Sequence, residues 1–205
     1  GEAWWRRRDG TEFPVVETIS AVRDDRGQII RNVAVAQDIT ELKAQQNALQ
    51  RQAYYDLLTG LPNRALLADR LDLAIASARR HQRRVAVAYL DLDGFKSVND
   101  SHGHRQGDWI LRLVAQRLQG ALREGDTLAR VGGDEFVAVL CDLDDSERWT
   151  AVIDRMLAAS AEPIEYGGTL VQLSTSIGVT LYPDDGADAR CCCAMPIRPC
   201  TAPSA

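Results

Sequence analysis

Arg130-Val131-Gly132-Gly133-Asp134-Glu135-Phe136 decides how the chain is read. It lies between two apolar runs, Asp126 to Val131 and Phe136 to Leu140. Two such runs joined through Gly-Gly predict a β-hairpin, because glycine reaches φ > 0 turn conformations without steric cost. The Asp-Glu pair directly after the turn is unusual. Adjacent carboxylates repel each other, and neither favours a strand. A divalent cation would reconcile them: hard ions such as Mg²⁺ take carboxylate oxygens and keep positions for water and phosphate. The bare glycines would let a nucleotide approach the backbone. An ordinary solvated turn fits the same residues, so the rest of the chain has to decide.

The partner for this turn lies upstream. Val85-Ala86-Val87-Ala88-Tyr89-Leu90 reads as a buried strand and runs into Asp91-Leu92-Asp93-Gly94-Phe95-Lys96. In open α/β sheets, ligands gather at such strand ends. Asp91 and Asp93 share a strand face by period-two alternation. Lys96 to Asp100 predicts one or two helical turns, whose first N–H groups suit a phosphate, with Lys96 as a point charge for the same anion. A helix cap with surface acids is the alternative for this segment.

These motifs resemble the GGDEF family of diguanylate cyclases. The resemblance rests on Asp91-Leu92-Asp93-Gly94-Phe95-Lys96-Ser97-Val98-Asn99-Asp100, then Gly103-His104, Gly107-Asp108 and Gly132-Gly133-Asp134-Glu135-Phe136. The stretch Asp56-Leu57-Leu58-Thr59-Gly60-Leu61-Pro62-Asn63-Arg64 is similar to the family's entry signature. The similarity runs from about Tyr54 to Gly186. It implies an α/β (α+β) fold with a palm-like central mixed sheet flanked by helices. It implies condensation of two GTP into cyclic di-GMP with release of pyrophosphate. By position, Asp91, Asp134 and Glu135 would be catalytic. Asp91 and Glu135, with the Leu92 carbonyl and Asp134 assisting, would hold Mg²⁺ or Mn²⁺. Asn99 and Asp108 would read the guanine edge; Gly94, Phe95, Lys96 and His104 would lie along the phosphates; Gly132 and Gly133 would leave room for the nucleotide. His102 and His104 diverge on a helix, so they read as capping or phosphate-side residues rather than metal ligands. One domain binds one GTP, so the resemblance also implies a homodimer with C2 symmetry. Arg123-Glu124-Gly125-Asp126 matches the spacing of the family's inhibitory product site, where Arg123 and Asp126 would take cyclic di-GMP. As a bare pattern it is also a surface i,i+3 ion pair.

Residues 1–40 alternate as short strands with turns at Asp9-Gly10 and Asp24-Asp25-Arg26-Gly27. This meander resembles the C-terminal part of a PAS/PAC sensor domain, a generic antiparallel sheet being the alternative. Thr40 is expected to cap a linker helix over 41–58. Ile39, Leu42, Gln46, Leu49 and Ala53 follow an a/d seam, which predicts a short coiled coil or an amphipathic helix. A helix from Asn63 through Arg80, a strand over 85–91, a helix over 105–122 and the hairpin over 127–140 should follow. A helix from Ser146 to Ala159 and a second hairpin over Ile164–Tyr182 around Gly167-Gly168 complete the order βααββαβ. The cyclase domain is assigned to 59–189.

Composition fits a soluble globular protein: 205 residues, 45% hydrophobic, 26% charged, net charge −5. A mildly acidic chain without a large basic patch is not expected to bind nucleic acid. Without a signal peptide or an apolar run of transmembrane length, no direct membrane contact is expected, and a GTP-using domain is expected in the cytoplasm. The chain begins at Gly1 rather than Met and is read as a piece of a longer protein. Residues 190–205 depart from the family. Cys191, Cys192, Cys193 and Cys200 lack paired zinc spacing, and a disulfide framework does not suit a cytosolic enzyme. Codons chosen for Arg190 to Ser204 and read from the third base of the first give Met-Leu-Leu-Arg-His-Ala-Asp-Gln-Ala-Leu-Tyr-Arg-Ala-Lys, which resembles the family's last helix. A frameshift in the gene or its sequencing is therefore expected, and the nucleotide sequence decides it.

Overall fold

The structure, a computed structural model, describes residues 1–143 and 146–185. The expected aberrant tail at 190–205 lies outside them. The chain divides into two units, Gly1–Gln52 and Ala53–Ala205. No described helix is long and apolar enough to cross a membrane.

The first unit is a meander of β1 (Glu2–Arg6), β2 (Glu12–Arg23) and β3 (Ile29–Asp38), antiparallel in the order β1-β2-β3. Its turns form where the sequence places them. Asp24 accepts hydrogen bonds from the Arg26 and Gln28 amides at 2.9 Å each. Gly27 takes φ +78°. Among the described residues of this unit, Pro14, Val15 and Ile39 are the only buried ones. Helix α1 (Thr40–Tyr54) has no buried residue. Its start corrects one expectation. The Thr40 hydroxyl donates to Asp38 Oδ1 at 2.6 Å, and the same oxygen accepts the Thr40 amide at 2.9 Å, so Asp38 serves the helix start and Thr40 is its donor.

The second unit is built on a four-stranded sheet. Its strands are β4 (Arg84–Asp93), β5 (Thr127–Gly132), β6 (Glu135–Leu143) and β9 (Ser174–Tyr182), in the order β5-β6-β4-β9. Every described pair in it is antiparallel, which departs from the mixed directions expected. The reason lies past Tyr166. The expected second hairpin is a short pair, β7 (Ile164–Tyr166) with β8 (Thr169–Val171), turned by Gly167 and Gly168 at φ +57° and +80°. A separate strand, β9, then returns to pair with β4 along its whole length.

Alternation along the strands sorts the core into two layers. Val85, Val87, Ala129, Val137 and Val139 face helix α2 (Arg64–His81), which buries Leu67, Leu71, Ile75 and Ala78. Asn63 caps α2 by accepting the Ala65 and Leu66 amides at 2.9 and 3.2 Å. Ala86, Ala88, Leu90, Leu92, Phe136, Ala138 and Leu140 face the opposite layer. That layer contains α3 (Phe95–His102), α4 (His104–Gly120) and α5 (Ser146–Ala161). Helix α4 supplies Ile110, Leu111, Val114 and Leu118, all at most 3% exposed.

Candidate active site

The two central strands, β4 and β6, end their pairing with Asp91 opposite Glu135. This register puts two carboxylates on neighbouring strands and on the α2 side of the sheet, the face shared by Val87 and Val137. Gly132 pairs with Glu135, and Gly133 turns the hairpin at φ +45°, a conformation that excludes most side chains. The site is rich in negative charge. Burial first, then the charges of Asp134, Glu135 and Asp93, push the Asp91 carboxyl above its ordinary range. Among the described residues no Lys or Arg forms an ion pair with Asp91, Asp134 or Glu135.

No three His, Cys, Asp or Glu groups among the described residues converge closely enough to hold a metal by themselves. The donor set nevertheless fits Mg²⁺ or Mn²⁺: carboxylates plus the Leu92 carbonyl, with uncompensated charge and room for water and phosphate oxygens. Asp93 has another task. Its Oδ1 accepts the Ser176 hydroxyl and its Oδ2 the Ser174 hydroxyl, both at 2.9 Å, so β9 holds it beside Asp91. Nothing in the residue pattern around Asp93 pointed to these serines, because the pairing joins residues 81 positions apart.

Gly94 opens α3 at φ +79° with no side-chain cap, which leaves the first N–H groups of the helix without a side-chain acceptor. Phe95 is buried and Lys96 exposed. One turn along α3 from Phe95, on the same face, half-buried Asn99 meets α4 at Gly107. A Cβ on Gly107 would lie 1.9 Å from Asn99 Oδ1 and 3.2 Å from the Phe95 ring. The glycine therefore lets Asn99 lie against α4 next to exposed Asp108, which brings the two guanine-reading candidates together. His104 is exposed at the first position of α4, one turn before Asp108.

Arg123 and Asp126 stand apart from this group, at the other end of β5, roughly 20 Å away by strand rise. Asp126 has 1% of its side chain exposed. Its Oδ1 accepts the Cys141 amide at 3.1 Å, while Arg123 donates to the Cys141 carbonyl and pairs with Asp126 at 3.5 Å. A bulge explains the arrangement: the β4–β6 register slips here, and Asp142 takes φ +49°. The pair thus satisfies backbone groups that the bulge releases from the ladder. Arg123, Asp126 and Arg155 also line a cavity of about 250 Å³ with Leu140, Leu143, Ala151 and Val152.

Sequence reasoning assigned no role to Arg130. Its guanidinium donates to the Gly133 carbonyl through Nε at 2.9 Å and Nη2 at 2.6 Å, and to Asp56 Oδ1 through Nη1 at 2.9 Å. Asp56 also accepts the Thr59 amide and hydroxyl at 2.9 and 2.7 Å. Burial alone would raise the Asp56 carboxyl, but the Thr59 and Arg130 hydrogen bonds outweigh it and hold the group below its ordinary range. The Asp-x-x-Thr spacing was a legible signal for the Thr59 turn; the Arg130 partner was not.

Comparison with known proteins follows the same lines. The family model described as diguanylate cyclase, GGDEF domain, matches residues 53–193. The chain is 44% identical over 147 residues to the bifunctional diguanylate cyclase/cyclic di-GMP phosphodiesterase MucR of Pseudomonas aeruginosa, covering 72% of this chain and 21% of that protein. It is 40% identical over 144 residues to the diguanylate cyclase TpbB of the same species, covering 70% and 33%. It therefore spans a fifth to a third of the length of these relatives. The structure of a truncated TpbB comprising only the GGDEF domain aligns with TM-score 0.63 at 38% identity, covering 69% of this chain and 87% of that one. The coiled coil and GGDEF domain of DgcB from Caulobacter crescentus, in complex with c-di-GMP, aligns with TM-score 0.66 at 25% identity, covering 75% and 81%. With the family model matching residues 53–193, the chain belongs to the diguanylate cyclase GGDEF-domain family.

Proposed function

We propose that the chain carries a diguanylate cyclase that joins two GTP molecules into cyclic di-GMP and releases pyrophosphate twice. The observation that carries this reading is the cross-strand Asp91–Glu135 pair at the mouth of the Gly132-Gly133 turn. Asn99 and Asp108 receive the guanine edge: an Asn amide offers a donor and an acceptor, and a carboxylate accepts from guanine N–H groups. Gly94, Phe95 and Lys96 present backbone N–H groups and one ammonium to the phosphates. Asp91, Glu135 and the Leu92 carbonyl hold the divalent ion, with Asp134 beside them. When bound, Mg²⁺ or Mn²⁺ polarises the α-phosphoryl group and lowers the cost of its charge. The remaining contribution of the protein is positioning, which brings the 3′-hydroxyl of one GTP in line with the α-phosphorus of the other.

Two domains facing each other across a C2 axis supply the two nucleotides. The a/d seam of α1 supports such pairing, with Leu42 and Leu49 exposed at 52% and 67%. The β1–β3 meander supports control by a PAS/PAC sensor. Product inhibition is assigned to Arg123 and Asp126, of which Arg123 is exposed, while Asp126 would have to give up the Cys141 amide to take a guanine edge.

A second reading is a module that binds GTP or cyclic di-GMP without turnover. Residues 190–205 favour it, because the family's last helix, which brings a Lys and an Arg toward the phosphates, is not legible there. Incubation with GTP and Mg²⁺, followed by mass spectrometry, separates the two, with Glu135→Ala as control. Cyclic di-GMP from the parent and none from the variant is the expected result. Bound nucleotide with no product from either assigns the second reading.

A further inference from the structure

The geometry points to Arg130, held by Asp56, as a positioning residue that fixes the peptide plane on which the metal-ligating carboxylates are built. This inference rests on the proposed metal site. Strand pairing does not fix that plane by itself: the β5–β6 register slips between Arg130 and Gly132, and only the Gly132–Glu135 pair lies beyond the slip. The Gly133–Asp134 peptide therefore sits in a two-residue turn next to a bulge, and Gly133, at φ +45°, adds no side chain to anchor it. Arg130 supplies the anchor. Two of its N–H groups converge on the Gly133 carbonyl at 2.9 and 2.6 Å. A third reaches Asp56 at 2.9 Å, and the Arg130 amide donates to the Pro62 carbonyl at 3.0 Å.

The fork is itself well held. The Arg130 side chain is 12% exposed and that of Asp56 24%. Asp56 is fixed by two bonds from Thr59 and by its own amide on the Leu61 carbonyl at 2.8 Å. The planar guanidinium meets the carbonyl and the carboxylate at once, a geometry that a lysine ammonium on a flexible stem does not reproduce. Asp134 begins at the far side of the gripped peptide and Glu135 follows it, so rotation of that plane moves both carboxylates. Residues that orient ligands in this way typically govern metal affinity by about 10- to 100-fold.

The test is Arg130→Lys, which keeps the charge and loses the fork. Mn²⁺ affinity is measured by electron paramagnetic resonance on the full chain with a non-hydrolysable GTP analogue supplying phosphate oxygens, and GTP turnover is measured beside it. We expect Mn²⁺ to bind about tenfold more weakly. We also expect kcat to fall about 100-fold while KM for GTP stays within about threefold, since a misplaced reacting group costs rate more than binding. A folded Arg130→Lys variant with Mn²⁺ affinity within about threefold of the parent overturns the inference, whatever its turnover. Because the metal readout needs no turnover, a parent that makes no cyclic di-GMP sinks the cyclase reading and leaves this one to be decided. If Arg130→Lys does not fold, Asp56→Asn is read the same way. That variant leaves Arg130 in place and removes the charge that orients it: weakened Mn²⁺ binding supports the anchor, and unchanged binding overturns it.

Discussion

Asp91 is where the chemistry and the stability of the domain oppose each other. Its carboxyl is pushed up by burial and by Asp134, Glu135 and Asp93. A carboxylate whose folded pKa exceeds its unfolded value favours the folded state when protonated, and that contribution is lost as pH rises through the folded pKa. At neutral pH the ionised group therefore destabilises the apo protein. Asp91→Asn should raise Tm at pH 7 in metal-free buffer by roughly 1–3 °C, a small effect because much of the carboxylate still faces water. The gain should shrink as pH falls and vanish only well below pH 3.8, where the unfolded carboxyl is protonated as well. The same variant should make no cyclic di-GMP, and millimolar Mg²⁺ should stabilise the parent more than the variant. Thermal unfolding across this pH range, with and without Mg²⁺, checks all three outcomes. A variant less stable than the parent at pH 7 would contradict the charge argument.

Among the elements, the contact of α3 with α4 sets where Asn99, the proposed guanine reader, lies. Gly107 is there because Asn99 occupies the space a Cβ would take, at 1.9 Å. Gly107→Ala should displace the Asn99 amide and leave the carboxylates untouched. KM for GTP should rise about tenfold, the worth of one hydrogen bond to a polar edge, with Mn²⁺ affinity unchanged. Nucleotide titration by calorimetry checks it, and an unaltered GTP affinity would remove Asn99 from the guanine site. The elements that the sequence made legible are those with local causes. Asn63 caps α2, Gly133 turns the β5–β6 hairpin (with Asp134 in the turn and Gly132 ending β5), and the apolar run from Val85 marks β4. What was not legible has distant causes: β9 beside β4, Ser174 on Asp93, and Asp56 on Arg130 across 74 residues. The start of α1 was misread because Asp38 and Thr40 are both good capping residues, and only geometry shows which one accepts. The Arg-x-x-Asp pair was legible as a motif, but its bond to the Cys141 bulge was not, since bulges leave little trace in alternation.

At the scale of the molecule, the division near Gln52 puts the proposed GTP site in one unit and the proposed pairing seam, Leu42 and Leu49, in the other. A chain of residues 53–205 keeps the carboxylates, Asn99, Asp108 and the Arg130 anchor, and loses the seam residues Leu42 and Leu49. It should bind GTP with affinity within about threefold of the full chain. On the proposed dimeric mechanism its initial rate should rise with the square of protein concentration at low micromolar levels, because two domains must meet by diffusion. Initial rates across a dilution series, with sedimentation on the same samples, check this; a linear rate would mean that residues 1–52 contribute nothing to pairing. The sheet order has a consequence for how the protein is made. Strand β4 is central, yet its β9 neighbour is translated far later: 81 residues separate Asp93 from Ser174. At roughly 5–20 residues per second, the ribosome needs about 4–16 s to deliver the serines that steady Asp93. From about half-way through that interval, once Glu135 has been added, the nascent chain contains the carboxylates and the glycine turn, but one flank of β4 is open. Until β9 emerges, Asp93 lacks both serine donors and β4 keeps an unpaired edge, so a pause in translation before it would prolong an unfinished, aggregation-prone state.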